Sequence, residues 1–392
     1  MKQAVVMVNA VKKNRFFLSA LFVLLLLPFC GIYGVRNAMS STIFQAWQVA
    51  AMGALAVIVV IAATEIKCNW AVVSFAAYQA IVMVSTFVNH GFSPGIFTVM
   101  AAAVLLFMLL QSSCYESIVS ALAFIVVVAA LINFPMMLPQ LSAVDAQFFI
   151  AGKNGLGIFL VPGVFIVMIN AYNRHGALNK WVYVMMAFCL VTVIIGASGT
   201  GIVVSLVALA LMLLSLKAPP KKSLYLTIIL VAYAFLIFFL NSVVHTDIWR
   251  DFTSLLGKDS TLTSRTYVWN YAKALIGEHW LFGTGRGSEI TFLNDWGGES
   301  LFHEAHNFIL EILLEGGMLA LAVYTFLISK TFSGLDMRDK KSQTIFIALC
   351  VLLVNGLTES TVNNFFVTVI LGIACHCAQE NRGIKDWHEQ PI

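Results

Sequence analysis

Residues 117–138 read SIVSALAFIVVVAALINFPMML, an apolar run without a charged side chain and close to the ~20 residues a helix needs to cross a bilayer. Eleven more such runs can be drawn, around 16–34, 44–64, 70–88, 95–110, 155–171, 181–197, 200–216, 224–243, 305–329, 343–357 and 362–378. The divisions at 196–201 and 358–363 are short, so eleven or thirteen spans stay open beside twelve. A chain of 392 residues that is 60% hydrophobic and 11% charged has more apolar surface than one water-soluble core can hide, and lipid must cover the rest. The expected fold is an all-α polytopic membrane protein of about 12 transmembrane helices.

The net charge of +4 does not point to nucleic acid, because what matters in such a chain is where its cations sit. With the N-terminus inside, sixteen Lys and Arg fall in cytoplasmic segments and seven outside. Five of the seven, Arg250, Lys258, Arg265, Lys273 and Arg286, lie in one long loop, leaving only Arg36 and Lys153 in short outer loops. That asymmetry places both termini in the cytoplasm and the long polar segment, residues 244–303, on the opposite side. The division is then helices one to nine in 1–243, an extracytoplasmic loop at 244–304, helices ten to twelve in 305–378 and a tail at 379–392. Lys2, Lys12, Lys13 and Arg15 ahead of Phe16 imitate a secretory signal, but the run contains Pro28 and eleven others follow, which predicts an uncleaved first span. The seven cysteines lie in or beside apolar runs, so a disulfide framework is not expected, and Cys375 and Cys377 read as small hydrophobes.

The loop mixes charged, aromatic and glycine residues and is expected to fold. Thr263 or Ser264 can cap a helix running to about Gly277, with Arg265 and Trp269 four apart on one face. Arg265 in the first turn adds a guanidinium to an end whose free N–H groups already favour anions, which makes a phosphate clamp or a solvated surface arginine the two readings. Trp269 either stacks on a sugar or is simply buried. Arg36, Lys153 and Arg286 are further outer-side cations that could join a clamp. Gly283-Thr284-Gly285-Arg286-Gly287 is a turn and not a dinucleotide fingerprint, since no strand precedes it and no βαβ unit can be drawn.

After the loop comes His303-Glu304-Ala305-His306-Asn307-Phe308, continuing through Glu311 and Glu315 to Gly316-Gly317. Asn307, Glu311 and Glu315 share a helical face, and ionisable groups at that depth should face a partner or a wet cavity. The two histidines are three apart where a zinc protease needs four, so no metal is expected. His306 at the membrane surface, with Asn307 beside it, suits a general base.

In this order, Arg265-x-x-x-Trp269, Gly283-x-Gly285 and His306-Asn307, with Gly152-Lys153-Asn154-Gly155-Leu156-Gly157 and Ser198-Gly199-Thr200-Gly201 upstream, the chain resembles the O-antigen ligase and polymerase superfamily over roughly residues 150–320. The resemblance implies a metal-independent, membrane-embedded glycosyltransferase of the GT-C type, without cofactors, in the bacterial cytoplasmic (inner) membrane. Its donor would be an undecaprenyl-diphosphate-linked oligosaccharide and its acceptor a second glycan or lipid A-core, with a chain-length regulator as a further partner. Arg265 would hold the diphosphate, His306 would activate the acceptor hydroxyl, and Asn307 and Trp269 would support them. Ligases of this kind usually carry an arginine where Thr200 stands, which tilts the reading to a polymerase. A ligase and, in a different class, a secondary transporter remain the alternatives.

Overall fold

The computed structural model describes residues 15–66, 69–141, 146–196, 198–243, 246–255, 265–287, 290–293, 299–302 and 304–388. Helix α1 is Arg15–Leu26, continued by a 3-10 turn at Leu27–Phe29 that carries Pro28. A short α2 (Tyr33–Asn37) precedes α3 (Ser41–Ile61), α4 (Trp70–His90), α5 (Pro94–Leu110) and α6 (Tyr115–Met137). Next come α7 (Lys153–His175), α8 (Lys180–Ile195), α9 (Gly199–Lys217) and α10 (Lys222–Ala234), the last extended by a π-helical segment Phe235–Phe239 and α11 (Leu240–Val243). The loop contributes α12 (Asp247–Leu255), α13 (Arg265–Glu278) and an antiparallel pair, β1 (Ile290–Leu293) and β2 (Glu299–Phe302), with Ile290 opposite Phe302. Helices α14 (Phe308–Gly334), α15 (Lys340–Asn355) and α16 (Phe365–His388) complete the chain.

Seven of these helices are long and apolar enough to cross a membrane, and four more are apolar but shorter: the α1 segment, α5, α8 and the first part of α16. The chain is a multi-pass, essentially all-helical membrane protein. The hairpin is a departure from the all-helical expectation, confined to the polar loop. A second departure is in α14. The run drawn over 305–329 is one apolar span, yet Gly317 has φ 63° and divides the helix into two parts.

Local chemistry explains the boundaries. The side-chain oxygens of Ser40, Asn69, Asn179, Ser198, Asn307 and Asp339 each accept from the first free N–H groups of the following helix, at its N-cap. Gly176 closes α7 in the left-handed conformation. The core forms where α14 packs on α4, α6 on α7 and α1, and α9 on α7 and α15. Many apolar side chains on α3, α8, α9 and α10 face outward, including Val60, Trp181, Leu216 and Val231, as lipid-facing surfaces do.

Two of the glycine stretches meet each other. A β-carbon on Gly157 would stand 2.5 Å from the Gly201 Cα, so α7 and α9 touch backbone to backbone. Only small residues allow that approach. It brings the start of α9, with Thr200, into the centre of the bundle's loop-side end.

Candidate active site

The site is organised by a segment that the sequence reading treated only as a short gap, residues 356–364 between α15 and α16. Glu359 in it is buried and accepts from the Arg265 guanidinium, Nη2 to Oε1 at 2.5 Å. Its other oxygen, Oε2, lies 3.6 Å from His306 Nδ1. Thr200 donates its hydroxyl to Oε1 at 3.2 Å. One carboxylate therefore joins the two residues expected to perform the chemistry, from helices far apart in sequence.

Burial by itself pushes the Glu359 carboxyl up. The hydrogen-bonding and charge of His306 and the guanidinium of Arg265 outweigh it and hold the group below the usual carboxylate range. Arg265 is 8% exposed, so its pair with Glu359 is a buried one, where the loss of one partner strands a charge. A guanidinium has five N–H donors in a planar fork, more than one carboxylate oxygen can occupy.

The His306 backbone is at φ 48°, a left-handed conformation that non-glycine residues rarely adopt. Its neighbours impose it. Ala305 N–H donates to Glu311 Oε2 at 2.6 Å, and Asn307 caps α14 through Ile309 and Leu310 while its own amide donates to the Leu357 carbonyl at 3.0 Å. The imidazole is thereby turned so that Nδ1 is buried toward Glu359 while the side chain keeps 27% of its surface open. Phe302 of β2 meets the ring edge-on at 5.7 Å between centroids. A carboxylate beside Nδ1 favours the tautomer with its proton there and leaves Nε2 as the proton acceptor.

The other expected residues fall into two groups. Glu311 and Glu315 are buried and tied to the same connector, Ser360 Oγ donating to Glu311 at 2.9 Å and Asn363 Nδ2 to Glu315 at 2.6 Å. Arg286 approaches Glu315, Nε to Oε1 at 3.8 Å, and lines a cavity of about 190 Å³ with Asn363, Asn364 and Gln79. It stands on a different carboxylate from Arg265. Trp269 is buried in a cluster with Val268, Ala305, Leu310 and Leu314, so its ring serves packing of α13 on α14. Asn307 is fully buried, and its amide is spent on the helix cap and Leu357. Both residues position the site from behind.

Arg36 and Lys153 follow two segments that are joined through the backbone, the N–H groups of Tyr33 and Gly34 donating to the carbonyls of Ile150 and Phe149. Among the described residues neither side chain forms a hydrogen bond or ion pair with Arg265, His306 or Glu359. The cap assigned to Thr263 or Ser264, and His303, lie outside the described residues.

The Gly283–Gly285 turn has a structural task. Thr284 and Gly285 donate to the carbonyls of Leu314 and Glu315, and the carbonyls of Trp280 and Leu281 accept from Met318 and Leu319, so the turn fills the break at Gly317. Gly283 sits at φ 67° with its α-hydrogens against the backbone of 314–316, where a β-carbon would stand 2.5 Å from the Leu314 oxygen. The loop is thus bolted to α14 beside Glu315.

The family model described as O-antigen ligase matches residues 184–325. That segment, about a third of the chain, is similar to the O-antigen ligase family. The match supports the superfamily read from the order of the motifs, and it contains Thr200, Arg265, Trp269, Gly283, Arg286, His306 and Asn307. Glu359, Arg36 and Lys153 lie outside the matched O-antigen ligase segment. Comparison with curated proteins finds no match. What could have exposed Glu359 in the sequence was one acidic residue in a polar gap at the same end of the bundle as Arg265 and His306.

Proposed function

We propose that this chain is an O-antigen or exopolysaccharide polymerase of the GT-C type, with twelve spans, both termini in the cytoplasm and residues 244–304 outside the bacterial inner membrane. It transfers a glycan from undecaprenyl diphosphate to a hydroxyl of an acceptor sugar. The family match supports ligase or polymerase chemistry in general. The observation that carries the mechanism is the sharing of Glu359 by Arg265 and His306.

In the proposed step the acceptor oxygen bonds to the anomeric carbon as the bond from that carbon to the diphosphate oxygen breaks. The departing electron pair goes to the diphosphate, held by Arg265, and the hydroxyl proton goes to His306 Nε2. Glu359 stabilises the imidazolium that results and fixes the guanidinium. The lipid diphosphate supplies the driving force, and the Arg265 guanidinium takes the role of neutralising the leaving group that a metal would otherwise fill. An apolar cavity of about 420 Å³ between α10, α14 and α15 begins at Phe308, two residues from His306, and reaches Phe332. It offers room for part of a polyprenyl chain whose headgroup sits at the site.

Thr200 favours a polymerase over a ligase. The position where ligases usually have an arginine here carries a hydroxyl bonded to Glu359, leaving the site one fixed cation fewer. Deletion of the gene tests this. A polymerase defect leaves single repeats on the cell surface, whereas full-length chains stranded on the carrier lipid would make the protein a ligase. Transport of a lipid-linked glycan by purified protein in vesicles, without any extension, would move it to the transporter class.

A further inference from the structure

The cavity of about 190 Å³ beside Arg286 is formed by the turn after α1, by α4 and α5, and by the connector leading into α16. These helices differ from α10 and α15, which with α14 bound the apolar cavity assigned to the polyprenyl chain. The backbone N–H of Arg286 donates to Thr86 Oγ1 at 2.9 Å, and Gln79, seven residues earlier on α4, lies about 10 Å nearer the middle of the bundle. Gly31 is exposed and Arg286 and Asn364 are half-buried, so the cavity opens at the end that carries the loop.

Its walls hold hydrogen-bonding groups that the fold does not use. Gln79 is 7% exposed and Thr368 is 6% exposed, both line the cavity, and among the described residues neither the Gln79 amide nor the Thr368 hydroxyl forms a hydrogen bond. Asn364 Oδ1 accepts from the Phe366 N–H at 2.8 Å, which leaves its N–H₂ group to the cavity. Asn363 donates to Glu315 at 2.6 Å, which leaves its carbonyl oxygen. Native structures rarely keep buried polar groups unpaired, so their partners belong to whatever fills the space.

Donors and acceptors stand side by side here, and a hydroxyl group satisfies both. Charge points the same way. Arg286 faces Glu315 at 3.8 Å, so its cation is offset and a neutral ligand is favoured over an oxyanion. Phe365 adds an apolar surface for the C–H face of a ring. The volume falls below the ~300 Å³ at which drug-sized sites begin, which suits a single ring.

We propose that this cavity binds one sugar ring of the acceptor glycan through its hydroxyls, an assignment that rests on the transfer reaction proposed above. Asn363 and Glu359 lie on the same connector, four residues and at most about 14 Å of extended chain apart. A glycan anchored at Asn363 therefore extends a neighbouring unit toward His306. Gln79 and Thr368 select the acceptor and take no part in breaking the donor bond.

Proteoliposomes holding a lipid-linked long-chain donor at a fixed level and a lipid-linked single repeat as the varied acceptor test this. Gln79→Leu and Thr368→Val keep the approximate shape and remove the hydrogen-bonding groups. Each is expected to raise the KM for the single repeat about tenfold, the effect of one buried hydrogen bond, and to leave kcat and the KM for the donor as they are. Thermal melting confirms that folded proteins are compared. A second arm needs no transfer: saturation-transfer NMR of the wild-type chain in nanodiscs, with the free monosaccharides of the repeat, should show saturation of ring protons that Gln79→Leu abolishes. An unchanged acceptor KM in both folded variants of a transferring enzyme overturns the subsite and leaves the transfer reading standing. Absence of saturation in wild type, or a signal that survives in both variants, overturns it too. A signal lost in the variants of a protein that transfers nothing upholds the sugar site and removes the transfer reading.

Discussion

Glu359 Oε1 lies 2.5 Å from the Arg265 guanidinium, although 94 residues separate the two and the carboxylate belongs to the connector after α15. With His306 Nδ1 on its other oxygen, the same group sets the geometry of an anion holder and a proton acceptor. Had Arg265 and His306 stood in separate cavities, no common transfer step could be written for them.

Removing the link should separate folding from transfer. Glu359→Ala strands a buried guanidinium and is expected to cost about 3–5 kcal/mol, lowering thermal stability and membrane abundance. Glu359→Gln keeps the volume and an acceptor for Arg265 but loses the charge that stabilises the imidazolium. It should remain folded and transfer glycan about a hundredfold more slowly. Full turnover by Glu359→Gln, measured as release of undecaprenyl diphosphate, would remove Glu359 from the mechanism.

The same carboxylate predicts a pH dependence of stability. Its pKa in the folded protein is lowered, chiefly because His306 and Arg265 outweigh the effect of burial. Below the ordinary carboxylate range the unfolded chain binds the proton first, so the stabilisation is full above that range and is lost as pH falls through it toward the lowered value. The melting-temperature gap between wild type and Glu359→Gln should not close between neutral pH and about 4.5 and should narrow below it. A gap that closes between pH 7 and 6 would contradict the pairing.

The turn that fills the helix break gives a test with an internal control. Gly283→Ala forces a β-carbon against the Leu314 carbonyl at a positive φ and should weaken docking of the loop, lowering both stability and transfer. Gly277 has open space around it inside α13, so Gly277→Ala should be neutral or stabilise by up to about 1 kcal/mol. Equal tolerance of the two in a melting assay would mean that the turn does not hold the loop in place.

The hydrophobic period of the chain made most of the helices legible, because lipid exposure demands long unbroken apolar runs and each run coincides with a helix in α1 or α3–α16. The loop helix was also readable, and α13 ends at Glu278, one residue past Gly277. Three features were not readable for a common reason. The break at Gly317, the strand pair 290–293 and 299–302, and Glu359 all depend on partners distant in sequence: the turn at 283–285, the opposite strand, and Arg265 with His306. A polar stretch such as 358–363 is indistinguishable by local pattern from a solvated turn. Asn307 and Trp269 illustrate the converse, since motif order marks them as site residues while burial assigns them to the frame that holds His306 and Arg265.

The most direct test uses purified protein in proteoliposomes with an undecaprenyl-diphosphate-linked repeat as both donor and acceptor. Wild type should release undecaprenyl diphosphate and form longer glycans, while His306→Ala and Arg265→Lys, which keeps a cation beside the buried Glu359 but loses the guanidinium fork, should be folded yet at least a hundredfold slower. Wild-type rates of release and lengthening in either variant would contradict the roles assigned to the guanidinium and the imidazole.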